Sequence, residues 1–290
     1  MNSNRRVERS KIVFLHVPKT GGDYLTKLFF FETQHKRNYY LDFLGRDHSS
    51  SFNDNRSTQR PNGNKCTIEK IFNNLSLVKE FKKSPHFQES TLIAGHCTSS
   101  IHELFEDYNF SYFTILREPI LRTISNILQF SHDTGQVVKI VKYSERVKLY
   151  SRDYWEWIFE LLSKKYPFKD FAVNENHFLH NTQTRILQGT KYLDIHEAPN
   201  LKEALDRAKT IKISFFENFN HGLQNNLDSF GIPINVKEKN KAVTNGIPTT
   251  QLTKQLAHGA YYGAPEKLIK LIKDMNSEDI ILYEKLRRKP

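Results

Sequence analysis

FLHVPKTGGDYL, residues 14–25, is the stretch whose reading decides the fold. An apolar run, Ile12 to Val17, stops at Pro18-Lys19-Thr20-Gly21-Gly22, and an apolar helical pattern (Tyr24, Leu25, Leu28, Phe29) begins at once. Branched and aromatic residues in a short continuous run read as a buried strand. A glycine turn that opens a helix brings backbone amides and the positive helix end to one point, which suits an anion. Lys19 adds a mobile positive charge. The triphosphate loop GxxxxGKS/T is absent, so this turn is shorter than an ATPase cradle. By itself, KTGG is equally a tight strand-to-helix turn with a surface lysine.

Two more short strands read the same way: TLIAG (91–95), leading to His96, and SYFTIL (111–116), ending at Arg117. After Pro119, which suits a first helical turn, PILRTISNILQF has helical spacing. Helices are expected over 144–163, 173–188, 200–209 and 217–230, the last ending at Gly231, with a strand at 211–216. A final helix is expected over 264–288, broken at Asn276-Ser277. Strands that alternate with helices predict an α/β fold, a three-layer sandwich with a mainly parallel sheet flanked by helices. Ligands bind such sheets outside the strands' carboxyl ends. Lys19–Gly22, His96 and Arg117 all fall there.

The 290 residues, 38% of them hydrophobic, fit one domain over 11–290 behind a loose arm, 1–10. It would carry a polar loop at 45–65 and a helical insertion at about 131–180. The formal net charge is +11, which draws polyanions or reflects a solvated surface. Neither a helix-turn-helix nor a zinc pattern nor a basic-aromatic stripe points to nucleic acid. Cys66 and Cys97 are too few for a disulfide scaffold or a cysteine metal site, and whether they pair is open. No metal site is expected. The polar start and the lack of an apolar run of about 18 residues predict no transmembrane segment. The chain as given reads as cytoplasmic, or as lumenal in the Golgi if an anchor was removed.

The third strand continues as LREPILRTIS, residues 116–125. Arg117 and Ser125, with Arg122 between them, offer an arginine fork and a hydroxyl suited to one phosphate; a salt bridge of Arg117 with Glu118 or another carboxylate, and an ordinary helix serine at 125, are the plain alternatives. VPKTGG followed by LREPxxRxxS resembles the two nucleotide motifs of sulfotransferases that use PAPS, 3′-phosphoadenosine 5′-phosphosulfate. The likeness is closest to the carbohydrate branch with heparan sulfate 2-O- and 6-O-sulfotransferases and bacterial relatives. AGHC (94–97), NTQTRILQG (181–189), FFENFNHGLQNNL (215–227) and DIILYEKL (279–286) are similar to further motifs of that branch, so the resemblance covers roughly 11–285.

The resemblance implies a P-loop-like fold and transfer of a sulfuryl group from PAPS to a hydroxyl of a glycan or glycolipid, releasing PAP, with no metal required. It implies that Pro18, Lys19, Thr20, Gly21, Gly22, Asp23 and Tyr24 hold the 5′-phosphosulfate, that Arg117 and Ser125 hold the 3′-phosphate, and that Lys241 closes over the nucleotide. His96 would be the general base, with Lys19 steadying the leaving phosphate; His16 is the runner-up base. Arg185 and His48 would face the acceptor, and a structural salt bridge is the other role open to Arg185. The family carries Thr or Ser where this chain has Asp23, whose carboxylate caps the helix, pairs with a lysine or repels the anion. Two other readings stand beside transfer: a non-catalytic nucleotide- or polyanion-binding relative, and a P-loop kinase or NTPase. Nothing in the sequence gives an oligomeric state.

Overall fold

The structure is a computed structural model. It describes residues 9–21, 25, 28, 38–40, 83, 88, 91–95, 97–105, 108–132, 152–163, 179–189, 198–236, 243–244, 247–248, 261 and 263–288. Five strands form one sheet: β1 (Arg9–Leu15), β2 (Asn38–Tyr40), β3 (Leu92–Gly95), β4 (Tyr108–Leu116) and β5 (Ile211–Phe215). Their order is β2-β3-β1-β4-β5, and every pairing is parallel. A two-stranded antiparallel ribbon, β6 (Val243–Thr244) and β7 (Ile247–Pro248), stands apart from this sheet. β1 takes in two residues of the segment read as an arm, and its hydrogen-bonded ladder stops at Leu15 rather than Val17.

Seven described helices follow: α1 (Pro119–His132), α2 (Arg152–Ser163), α3 (Thr182–Gln188), α4 (Leu201–Arg207), α5 (Phe219–Ser229), α6 (Glu266–Met275) and α7 (Ser277–Arg287). Alternation along the strands explains the layers. Val13, Leu15, Ile93, Tyr112 and Leu116 point to one face, where α3, α4 and α7 bring Ile186, Leu187, Ala204, Leu282 and Leu286. Phe14, Leu92, Ala94, Phe113 and Ile115 point to the other, against Leu25, Leu28 and, from α5, Leu223 and Leu227. The sheet is therefore buried on both faces, the three-layer α/β sandwich the sequence implies.

A second core lies off the sheet. Ile120, Leu121, Ile124 and Ile127 of α1 pack with Trp155 and Ile158 of α2 and with Leu268, Ile269 and Ile272 of α6. α2, which falls in the span expected as an insertion, is thus packed against α1 and α6.

Two helix limits differ from expectation or confirm it for clear reasons. Of the helix expected over 173–188, the described residues hold α3 from Thr182, preceded by a turn at Leu179 and His180 and by Asn181 in a left-handed conformation (φ 45°). The expected break at Asn276 is there: Asn276 sits between α6 and α7 and is fully buried. No helix among the described residues is long and apolar enough to cross a membrane.

The chain runs from β1 outward to β2, returns through β3, then crosses to β4 and β5 on the far side. β1 is flanked by β3 and β4, so the connections diverge around its carboxyl end. That is where an open parallel sheet leaves a crevice for a ligand.

Candidate functional site

Three described segments meet at the crevice. The first is the turn after β1. Lys19 has φ 70°, a left-handed conformation uncommon for a side chain of this type, and Gly21 has φ 90°. Two such residues so close reverse the chain sharply, and helical hydrogen bonding resumes when Leu25 N–H donates to Gly21 O at 3.2 Å. Gly21 is required twice over: a Cβ there would lie 2.5 Å from Phe219 Cε2. The Thr20 hydroxyl is buried and donates to Val17 O at 2.7 Å, so it pins the turn from within.

The second is the end of β4. Arg117 is 2% exposed, and its Nη1 donates to Lys19 O at 2.9 Å. Its guanidinium lies over the Phe216 ring, 4.6 Å from the centroid. The structure thus brings Lys19 and Arg117, 98 residues apart, to one place. Among the described residues no ion pair within 4 Å joins Arg117 to Glu118, whose carboxylate accepts from Leu121 N–H at 2.8 Å and closes the first turn of α1. Burial raises the Glu118 pKa, the helix amides oppose that, and nearby Glu217 adds to it. Glu217 also accepts from Glu118 N–H at 3.2 Å, which joins the ends of β4 and β5.

The third is α1 itself. Ser125 is fully buried, and its Oγ has no hydrogen-bond partner among the described residues. A buried hydroxyl without a partner is uncommon and costs about 1–3 kcal/mol. An oxygen-rich anion reaching this hydroxyl would supply the missing bond, so Ser125 fits a phosphate ligand.

Arg122, between Arg117 and Ser125 in the motif, belongs to the frame. It is fully buried, and its Nη2 donates to Thr123 Oγ1 at 3.1 Å and Asn276 Oδ1 at 3.3 Å. It pairs with fully buried Asp279 at 3.9 Å. Burial lowers the Arg122 pKa to about 10, so it stays charged at neutral pH. Burial likewise raises the Asp279 carboxyl, against the pull of Arg122 and the Gln183 and Thr184 amides. This pair fastens α1 to α7.

The remaining residues fall as follows. Pro18 is buried beside the turn, and His16 is buried at the end of β1, stacked on Phe14 with ring centroids 5.7 Å apart. Arg185 is 3% exposed and its Nε donates to His180 O at 3.1 Å, a structural bond on the inner side of α3. Gly22, Asp23, Tyr24, His48, His96 and Lys241 lie outside the described residues. His96 has described neighbours on both sides: Gly95 ends β3 next to β1, where its carbonyl accepts His16 N–H at 2.8 Å, and Cys97 is buried. Burial pushes the Cys97 thiol up to about 12, which makes it a poor nucleophile. Among the described residues no group of acidic, histidine or cysteine side chains is placed to hold a metal.

Sequence reasoning missed Gln183, Asn276, Asp279, Phe216 and Phe219. Gln183 stood inside a motif, but its partner is 66 residues away and no local signal names it. Phe216 reads as the last residue of a strand and Phe219 as part of the helix after it, while the structure sets them against Arg117 and Gly21.

A family model described as "Sulfotransferase family" matches residues 5–285. Comparison with curated proteins and with solved structures gives no match. The matched span takes in every strand of the main sheet and the ribbon, together with the β1 turn, Arg117 and α1.

Proposed function

The chain belongs to the sulfotransferase family, and we propose that it transfers a sulfuryl group from PAPS to a hydroxyl of a carbohydrate acceptor. The observation that carries the donor half is the bond from Arg117 to Lys19 O. It sets a guanidinium beside a lysine-bearing glycine turn at the carboxyl end of β1, where the connections to its two neighbours diverge. Bound there, PAPS would supply an activated sulfuryl group on a phosphate leaving group.

In this reading the chain's own residues divide the work. The Lys19 ammonium and the backbone N–H groups that follow Pro18 take the 5′-phosphosulfate end, and Lys19 balances charge on the leaving phosphate. Arg117 and the Ser125 hydroxyl take the 3′-phosphate, and Lys241 adds charge over the nucleotide. His96, next after the last residue of β3, accepts the proton of the attacking hydroxyl, a task worth about 10²–10⁴-fold in rate. Holding both reactants in line gives most of the remaining acceleration. His48 and Arg185 are the proposed acceptor-side residues. Support for Arg185 is weaker, because its Nε is already bonded to His180 O. A glycan or glycolipid acceptor rests on the family's carbohydrate branch.

The test is calorimetric titration with PAP, with ATP and ADP as controls. PAP binding that is lost in Lys19→Ala and Arg117→Ala is the expected result. His96→Ala should keep PAP binding and lose transfer of labelled sulfate to a panel of desulfated polysaccharides and glycolipids. Absence of PAP binding by folded protein overturns the donor assignment. Binding without transfer on any acceptor points to the non-catalytic relative instead.

A further inference from the structure

The sheet does not by itself hold Arg117 in place. Pairing of β4 with β1 ends at Thr114 opposite Leu15, and pairing with β5 ends at Leu116 opposite Phe215. Arg117 is the next residue, so its backbone N–H and C=O lie past the last rung, in the interior, where an unpaired amide is costly. Gln183 takes both. Its Oε1 accepts Arg117 N–H at 2.9 Å, and its Nε2 donates to Arg117 O at 3.0 Å. One side-chain amide does the work of a neighbouring strand.

Gln183 is itself held firmly. It is fully buried on α3, and its backbone N–H donates to Asp279 Oδ2 at 3.1 Å. Asp279 Oδ1 accepts Thr184 N–H at 2.7 Å, so the α7 carboxylate caps α3. The favour is returned: Asn181 Oδ1 accepts the N–H groups of Glu278 and Asp279 at 3.0 and 3.1 Å, so a residue at the start of α3 caps α7.

We propose that Gln183 is a positioning residue for Arg117: it fixes the backbone from which the guanidinium reaches the phosphate, and Asp279 links that position to α7. The proposal rests on the reading of Arg117 as a phosphate ligand. A small rotation at the Arg117 Cα is magnified along the side chain, and a guanidinium fork tolerates little misplacement. Gln183→Leu keeps most of the volume but leaves two buried backbone groups without partners. Gln183→Glu keeps the acceptor for Arg117 N–H but sets a carboxylate oxygen against Arg117 O.

The experiment measures PAP affinity and melting temperature for Gln183→Leu and Gln183→Glu, each in the native and the Arg117→Lys background. Alongside, the Arg117 Nε–Hε signal is followed by NMR without nucleotide. In the native background Gln183→Leu should weaken PAP about 10-fold or more. In the Arg117→Lys background the same change should cost under about twofold, because a flexible lysine stem does not depend on the clamp. The melting temperature should fall equally in both. Equal loss of affinity in both backgrounds overturns the proposal and leaves Gln183 with a packing role. If native protein binds no PAP, the phosphate reading of Arg117 fails, and the NMR signal decides the positioning alone: averaging in Gln183→Leu upholds it, an unchanged signal overturns it. Should Gln183→Leu not fold, Gln183→Glu carries both measurements.

Discussion

Arg117 Nη1 and the carbonyl oxygen of Lys19 lie 2.9 Å apart, joining the turn after β1 to the end of β4. The bond falls on a residue whose backbone is in the left-handed region, φ 70°. Holding a non-glycine residue there costs about 1–2 kcal/mol. Lys19→Gly should relieve that cost and raise unfolding stability by about 1 kcal/mol over Lys19→Ala, measured in urea. Both variants should lose PAP binding. A stabilised Lys19→Gly that still binds PAP normally would remove the lysine from the site.

Gly21 meets Phe219. Its φ is 90°, and a Cβ would stand 2.5 Å from Phe219 Cε2, on the ring of a side chain packed against the core. Gly21→Ala should destabilise by about 1–3 kcal/mol. Adding Phe219→Leu should recover the steric part and not the backbone part. Denaturant midpoints of the single and double variants separate the two, and full recovery would show that the backbone is not strained.

Asp279 is fully buried opposite Arg122 and caps α3. Asp279→Ala leaves the guanidinium buried without its counter-charge, a loss of about 3–5 kcal/mol. The double change Arg122→Met with Asp279→Leu removes both charges, so its loss should be smaller. Chemical denaturation of the three proteins tests this; a double variant worse than the single one would mean the capping bonds, not the charges, dominate.

His180 feels the charge of two guanidiniums, Arg185 and Arg122. Burial lowers its pKa below the usual 6.5, and Arg185 and Arg122 lower it further. Below pH 6.5 the unfolded chain takes up a proton at His180 before the folded protein does, so stability falls as pH drops from 6.5 towards the folded pKa. Melting temperatures between pH 7.5 and 5.5, in steps of roughly half a unit, should drop less in His180→Gln than in the native protein. Parallel curves would show that His180 carries none of this acid sensitivity.

Cys97 is 1% exposed and its thiol is pushed up to about 12 by burial. Alkylation of Cys97 by iodoacetamide should proceed only as fast as the protein opens, and mass spectrometry of the peptide reads the rate. Rapid modification in native buffer would contradict the burial seen here.

Much of the layer plan was legible because its signals are local. KIVFLHV, TLIAG, SYFTIL and IKISFF are short apolar runs whose strands must be buried on both faces. Gly231 ends α5 with φ 64°, and Asn276 breaks the last helix, both as their residue types suggest. The ordered motifs also singled out Lys19 and Arg117 before any contact was known.

The sequence by itself determined the α/β class, the strand ends that carry the candidate site and the family. Only the tertiary structure decided which partner each buried polar residue takes. Arg122 and Arg117 stand five positions apart in one motif, yet Arg122 turns to Asp279 and Arg117 to Lys19. Gln183 turns both its amide groups to the Arg117 backbone. The reason is that a buried polar group must find a partner wherever the fold supplies one. Those partners are brought close only when β1, β4, α3 and α7 pack, and no spacing along the chain encodes that.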